Sequence, residues 1–403
     1  MKILKASCAS TLKLSLILLL LLAATSATMA ATAEVDFISH IKSILLLKRD
    51  PIRAELLAQR LMDQKGADDP DLIIIDTRES GDYAKGHIPG AISIPLFDLP
   101  AAIENGSISS DKDIVVASYD GGDGMMAALL IDIFRVEDPG AQKKALENGS
   151  KPPYPRATSL FAGMETWSLS LATEKGRFDN ALGCARVERP AETTPNSVGE
   201  RFQPPGVESA ELKSGFKEFV LKRAREYFAK FANQKELTVT GVEITDDSIR
   251  GKKTQIFSVR KGFHYIFGHI PGAVSAPSNL LLESEYLSLI YPAREVDLYC
   301  YTGMNGGMAS MALGILGYKA RNIKYGINGW TLSEKVISGH LKHFDLKWGW
   351  DFPLAKGSEP GGPLWEDIVE PKGCEGCHSD LTALSLAVTA PSPDGEIKKK
   401  QRI

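Results

Sequence analysis

Short apolar runs and longer amphipathic stretches alternate along most of the chain. Leu72 to Ile75 is an Ile-rich run ending in Asp76-Thr77-Arg78, and Ile114 to Val116 is a second, β-branched run. Val296 to Leu298 is a weaker run of the same kind. Runs this short, bounded by polar turns and separated by helix-length segments, predict strands of a parallel sheet covered by helices on both faces. The runs at 114–116 and 296–298 are each followed by a Gly-rich loop and then a stretch rich in Ala, Met and Leu. A loop between a strand's carboxyl end and a helix N-terminus is the usual place for a site in such sheets. A different period links Leu212, Phe216, Phe219, Val220, Tyr227, Phe228 and Phe231, and predicts a helix with one face in a core.

The pattern occurs twice. Residues 86–91 and 268–273 both read Gly-His-Ile-Pro-Gly-Ala, an offset of 182 residues. The same offset pairs Arg78 with Arg260, Tyr83 with Tyr265, Ser93 with Ser275, Tyr119 with Tyr301, Gly121 with Gly303 and Gly124 with Gly306. A colinear series of this kind implies two copies of one domain. A third short strand is expected to end near Gly163–Trp167 in the first copy and near Gly326–Trp330 in the second. The first copy carries 19 extra residues, read as a surface insertion near Glu137–Pro155. The expected organisation is a leader at 1–33, a first domain at 34–185, a linker at 186–208 with Pro190, Pro195, Pro204 and Pro205, a second domain at 209–335, and an irregular C-terminal extension at 336–403.

Length and charge narrow the picture. A chain of 403 residues suits two or three domains. With 47 basic and 50 acidic residues its net charge is −3, so no global field points to nucleic acid. Lys2, Lys5 and Lys13 precede an apolar run from Leu14 to Ala24, and small residues follow, with cleavage expected after Ala30 or Ala33. This reads as an export signal, with an uncleaved anchor as the alternative, and implies a periplasmic or secreted protein without other membrane contact. Five cysteines cannot make a disulfide-dense scaffold, so their positions carry the interest. Cys8 lies ahead of the apolar run, and Cys184 follows the first copy as a bystander or resolving thiol.

The second Gly-rich loop reads Cys300-Tyr301-Thr302-Gly303-Met304-Asn305-Gly306, and the first Ser118-Tyr119-Asp120-Gly121-Gly122-Asp123-Gly124. Backbone N–H groups turned inward at a helix N-terminus form an anion nest, which stabilises a thiolate placed at its centre. Ser118 has no evident base, and Asp120 and Asp123 are expected to repel an incoming anion. His87 and His269 occur in both copies, which favours a structural role.

Asp-x-Arg, His-Ile-Pro-Gly-Ala, Cys-x-x-Gly opening a helix, and Gly-x-x-Gly-Trp, in that order, resemble the rhodanese (sulfurtransferase) family. The resemblance implies two α/β domains, each a central parallel sheet with helices on both faces. It implies that Cys300 carries sulfur as a persulfide, with Tyr301, Thr302, Gly303, Met304, Asn305, Gly306 and Arg260 around the substrate. The chain departs from the pattern in Ser258, where the Asp of Asp-x-Arg would stand, and in Asn305, where the family often has Arg. No Lys or Arg lies between Cys300 and Gly307, which disfavours thiosulfate, a dianion, as donor.

The extension contains Cys374-Glu375-Gly376-Cys377-His378. Cys-x-x-Cys-His is the attachment pattern of c-type heme, with thioethers from both cysteines and His378 as axial iron ligand. The alternatives are a redox-active thiol pair and part of another metal site, for which no second Cys pair is evident. Candidate second axial ligands are His340, His343 and, from the active loop, Met304 or Met308, and a five-coordinate iron is a further option. Trp348, Trp350, Phe352 and Trp365 either wrap a porphyrin or pack the extension on the second domain.

Three functions are consistent with these features. One is an exported enzyme carrying sulfur or a related chalcogen on Cys300, with a heme c exchanging electrons with a periplasmic redox partner. Its partners would be a small sulfur or chalcogen donor and a thiol or protein acceptor. The second is a heme-free relay through Cys374 and Cys377. The third is a scaffold or electron-transfer subunit without catalysis.

Overall fold

The computed structural model describes residues 35–63, 71–168, 201–205, 215–241 and 254–331, with positions 171, 243, 244, 333, 336, 352 and 354–359. Cys8, Cys184, His340, His343, Trp348, Trp350, Trp365 and the Cys374–His378 motif lie outside the described residues.

The first repeat contains strands β1 (Leu72–Asp76), β2 (Ile92–Ser93), β3 (Asp113–Ala117) and β4 (Ala157–Ser159), in the order β2-β1-β3-β4. The second contains β5 (Thr238–Val239), β6 (Thr254–Ser258), β7 (Val274–Ser275), β8 (Glu295–Tyr299) and β9 (Ala320–Ile323), in the order β5-β9-β8-β6-β7. Every pairing is parallel. The register repeats with the sequence: Leu72 faces Asp113 and Thr254 faces Glu295, while Ile75 faces Ile92 and Phe257 faces Val274. Ile75, Val116, Phe257 and Leu298 are all buried, as strands covered on both faces require.

The helices that follow the Gly-rich loops are α5 (Gly122–Arg135) and α11 (Met304–Ile315); the labels α1 (35–45), α2 (Ala54–Asp63), α3 (Ser80–Lys85), α4 (Leu99–Glu104), α6 (Pro139–Glu147), α7 (Met164–Trp167), α8 (Phe216–Phe228), α9 (Gly262–Ile266) and α10 (Ser284–Leu287) complete the chain order. Nearly every residue of α5 and α11 is buried, because each packs on its own sheet and on the other helix. Glycine permits the contact: a Cβ on Gly307 would lie 2.2 Å from the Gly122 carbonyl oxygen. One apolar core therefore runs through both repeats. The amphipathic segment expected after the linker is α8, which buries Phe219, Val220, Tyr227 and Phe228. It serves both repeats, since Phe228 stacks on Phe97 of the first at 5.1 Å.

The insertion contains a helix, α6, which its polar composition concealed. Asp138 accepts the Ala141 N–H at 2.9 Å as N-cap, Pro139 follows it, and buried Gln142 exchanges two hydrogen bonds with the Tyr154 backbone. The extension also departs from expectation. Phe352 packs on Trp167 of the first repeat at 4.9 Å, and its N–H donates to the Trp167 carbonyl. Ala355 forms an antiparallel bridge with His87, and Leu354 fills the space that Gly86 leaves for want of a Cβ. Phe352 is thus neither on the second domain nor open to a porphyrin. Among the described residues no helix is long and apolar enough to cross a membrane.

Candidate active site

Cys300 follows directly on β8, and α11 begins four residues later. Between them Gly303 takes φ +86°, a left-handed conformation natural to glycine. The loop is held from outside through its carbonyls. The Ile327 N–H donates to the Cys300 carbonyl at 3.0 Å, and the Asn328 N–H and side-chain amide donate to the Tyr301 carbonyl at 3.2 and 2.6 Å. Gly326 makes this approach possible, since a Cβ there would lie 2.5 Å from the Cys300 carbonyl oxygen. The Gly-x-x-Gly-Trp segment is therefore a clamp. With the carbonyls tied outward, the first N–H groups of α11 lack intrahelical partners, and its positive end faces the loop. Cys300 is 3% exposed, a free thiol at the edge of the shared core.

The first repeat uses the same clamp, with the Met164 N–H on the Ser118 carbonyl at 2.8 Å. Its amides have different partners. Ser118 Oγ accepts the Gly121 N–H at 3.1 Å, and Asp120 Oδ1 accepts the Gly122 N–H at 2.9 Å. Among the described residues no side chain takes the corresponding N–H groups of Gly303 and Met304. Asp123 does not act as expected on an incoming anion. It leaves the loop for the second repeat, accepting from Gln234 at 3.0 Å and Thr238 at 3.1 Å. Burial, and then the charge of Asp120, push its carboxyl up to about 7.

The other expected site residues divide. Tyr301 is at the loop, with its hydroxyl against His264 Nδ1 and accepting the Lys261 N–H at 3.4 Å. Burial raises its phenol above the ordinary range. Asn305 is exposed at the start of α11, while Thr302 is 8% and Met304 6% exposed. Gly306 abuts the Asn322 side chain. Met304 and Met308, considered as iron ligands, belong to the core between the repeats, where Met308 Sδ accepts from Arg49 at 3.9 Å. Arg260 is not at the mouth of the loop. Its guanidinium is buried and bonded to Ser258 Oγ, the Gly268 carbonyl and the Val336 carbonyl. The pattern Asp/Ser-x-Arg thus holds a turn.

His87 and His269 are structural, as read from the repeat. Each is fully buried, stacked on Tyr83 or Tyr265 at 3.7 and 3.8 Å, with Nδ1 on that tyrosine's carbonyl. His264 was missed by sequence reasoning. Its repeat partner is Asp82, which accepts from the Tyr119 hydroxyl at 2.7 Å, so a polar residue beside the loop tyrosine recurs at the same offset.

Paired parallel sheets, with a cysteine seated on a Gly-rich strand-to-helix loop in one of them, define a duplicated α/β protein of the sulfurtransferase-like fold. The family model for the rhodanese-like domain matches residues 55–168 and 242–333, just over half of the chain, and the protein belongs to that family. An HTH-type transcriptional regulator of Mycobacterium tuberculosis is 36% identical over 97 residues, which are 24% of this chain and 38% of that protein. The chain thus spans under two fifths of that relative's length. Among solved structures, a thiosulfate sulfurtransferase from Pseudomonas aeruginosa is 18% identical, with 79% of this chain and 50% of that one covered and a TM-score of 0.24. A rhodanese-like domain protein from Staphylococcus aureus is 22% identical over 23% of this chain and 89% of its own, with a TM-score of 0.22.

Proposed function

We propose that the protein is an exported sulfurtransferase in which Cys300 carries sulfur as a persulfide. The observation that carries this reading is the seating of Cys300 at the positive end of α11, with the loop carbonyls tied outward by Ile327 and Asn328. In the first half-reaction the Cys300 thiolate attacks the sulfane sulfur of a donor persulfide. The donor's S–S bond breaks, a Cys300 S–S bond forms, and the donor leaves as a thiolate. In the second, an acceptor thiolate attacks the outer sulfur, and the Cys300 thiolate is restored. Each step exchanges one S–S bond for another and needs no external oxidant or reductant. A loop without a cation suits a low-molecular-weight or protein-bound persulfide better than thiosulfate.

The proposal extends to the extension, where it rests on the sequence pattern alone. Cys374 and Cys377 would hold a c-type heme through thioethers, and His378 would be its axial ligand. When bound, the heme would supply one-electron transfer to a periplasmic partner. The leader at 1–33 supports export. Mass spectrometry of the Cys300 peptide after donor treatment tests the sulfur chemistry. Failure to gain a sulfur from thiosulfate, mercaptopyruvate and a small persulfide would leave the scaffold reading. Protein exported by a host competent in heme attachment should show a heme spectrum that survives acid extraction. Colourless protein with two titratable thiols in the extension would favour the thiol relay.

A further inference from the structure

The turn that clamps each Gly-rich loop holds a side-chain-bearing residue in the left-handed region. It is Ala162 in the first repeat, at φ +52°, and Tyr325 in the second, at φ +56°. That conformation is costly for any residue but glycine, so it persists only where the surroundings hold it. The Tyr325 backbone lies directly on the active loop. A Cβ on Gly303 would lie 3.0 Å from the Tyr325 nitrogen, and one on Gly326 would lie 3.0 Å from the Gly303 nitrogen. The next two residues, Ile327 and Asn328, donate to the Cys300 and Tyr301 carbonyls. What holds Tyr325 comes from the other repeat. Its side chain, 3% exposed, packs on Ala162 and Phe161 of the first clamp. Its hydroxyl donates to Oε2 of Glu165, a fully buried residue of α7, and Lys324 Nζ lies 3.6 Å from Oε1 of the same carboxylate. The clamps correspond at an offset of 163 residues, which pairs Ala162 with Tyr325 and Glu165 with Asn328. Asn328 gives its amide to its own loop, at the Tyr301 carbonyl. A carboxylate has no proton to give the matching carbonyl of Tyr119, and Glu165 serves the second repeat instead.

We propose that Glu165 of the first repeat is a positioning residue for Cys300, acting through the Tyr325 hydroxyl to fix the left-handed turn that aligns the clamp on the active loop. Resting on the persulfide reading, this gives the repeat without a thiol a part in the reaction of the other. The chain of contacts is continuous: Glu165 bonds Tyr325, the Tyr325 backbone abuts Gly303, and Ile327, two residues on, bonds the Cys300 carbonyl at 3.0 Å. Without the anchor the backbone at 325 relaxes toward ordinary φ, and the clamp shifts with it. The Cys300 and Tyr301 carbonyls are then no longer tied outward, and the amides ahead of α11 lose the arrangement that favours an anionic sulfur.

The test is Tyr325→Phe, which keeps the ring on Ala162 and removes only the donor, together with Glu165→Gln and Glu165→Leu at the acceptor. Alkylation of Cys300 by iodoacetamide is followed across pH on the Cys300 peptide, alongside sulfur uptake from a small persulfide and the unfolding temperature. Tyr325→Phe and Glu165→Leu are expected to alkylate about fivefold more slowly at neutral pH, with the pH–rate midpoint at higher pH. Glu165→Gln loses the charge that faces Lys324 but keeps an oxygen for the hydroxyl, and should stay within about twofold of the native protein. Asp138→Ala removes the cap of α6 in the insertion; it should lower the unfolding temperature and leave the Cys300 rates unchanged. Tyr325→Phe carries the test alone if Glu165→Leu does not fold. Native-like rates and midpoint in folded Tyr325→Phe would overturn the proposal, as would slowing by Glu165→Gln equal to that by Glu165→Leu, or the same slowing in Asp138→Ala. Native protein that takes up no sulfur, with slower alkylation confined to Tyr325→Phe and Glu165→Leu, would sink the persulfide reading and leave the positioning role standing.

Discussion

The loop after β3 and the loop after β8 share their clamp, their left-handed glycine and their helix, yet they present different surfaces to a ligand. At the first, Ser118 and Asp120 turn back on the amides of Gly121 and Gly122, so the nest is occupied by its own chain. At the second, Cys300 and Thr302 stand at those positions and, among the described residues, no side chain takes the amides of Gly303 and Met304. The buried arginines differ as well: Asp76 pairs with Arg78, whereas Ser258 offers Arg260 a neutral acceptor. A fold can thus be kept while its chemistry is closed in one copy and opened in the other. The change lies in which groups satisfy the backbone and which satisfy a buried charge.

The largest effect that separates the repeats should come from Cys300→Ser. It should abolish sulfur uptake, read as loss of the mass gain on the loop peptide, while any heme spectrum stays nearly unchanged. Next is the buried charge. Asp76→Ala strands Arg78 and should cost about 3 kcal/mol in urea unfolding, whereas Ser258→Ala, which removes one neutral acceptor, should cost about 1 kcal/mol. Comparable losses at the two sites would break the electrostatic contrast. Asn305→Arg restores a cation at the exposed start of α11 and should improve thiosulfate turnover by about tenfold, one charge-assisted contact of ~1.5 kcal/mol.

A smaller effect is the pH response of the contact between the repeats. Because the Asp123 carboxyl is raised in the folded protein, the folded state holds its proton where the unfolded chain has lost it. Its contribution to stability should fall as pH rises from about 4 through about 7, and be constant above that. Asp123→Asn should remove that slope, so unfolding at pH 5 and at pH 8 would differ less than in the native protein. Smallest is Ser118→Ala, which removes no nucleophile and should leave sulfur transfer within about twofold. A hundredfold loss with the fold intact would show that the active repeat had been misassigned.

Much of the scaffold was readable in advance. The offset of 182 residues that pairs the two Gly-His-Ile-Pro-Gly-Ala segments reappears in the strand register, because register follows the alternation of buried side chains. The stacking of His87 and His269 on tyrosines four residues earlier was also accessible, since it is a local contact repeated in both copies. The helix at Pro139–Glu147 was concealed because its cap and its Gln142–Tyr154 bonds outweigh weak apolar periodicity. His264 was overlooked because nothing in its own neighbourhood marks it; only the fold carries the Tyr301 hydroxyl to it.

By itself the sequence determined that there are two copies of one α/β unit, where the strand ahead of each Gly-rich loop and the loops themselves fall, and which copy holds the thiol. These follow from apolar periodicity, from turn glycines and from residue identity, all of which act within a few neighbours along the chain. The third strands end earlier than expected, at Ser159 and Ile323, and the segments at Gly163–Trp167 and Gly326–Trp330 are helical turns. Tertiary structure alone decided that Asp123 joins the repeats, that Arg260 is buried on Ser258 and two backbone carbonyls, that Met304 and Met308 belong to a shared core, and that Phe352 and Ala355 return to the first repeat. Each of these depends on groups far apart in the chain meeting where water is excluded. There an unpaired charge or a missing Cβ matters, and no local window of the sequence contains both partners.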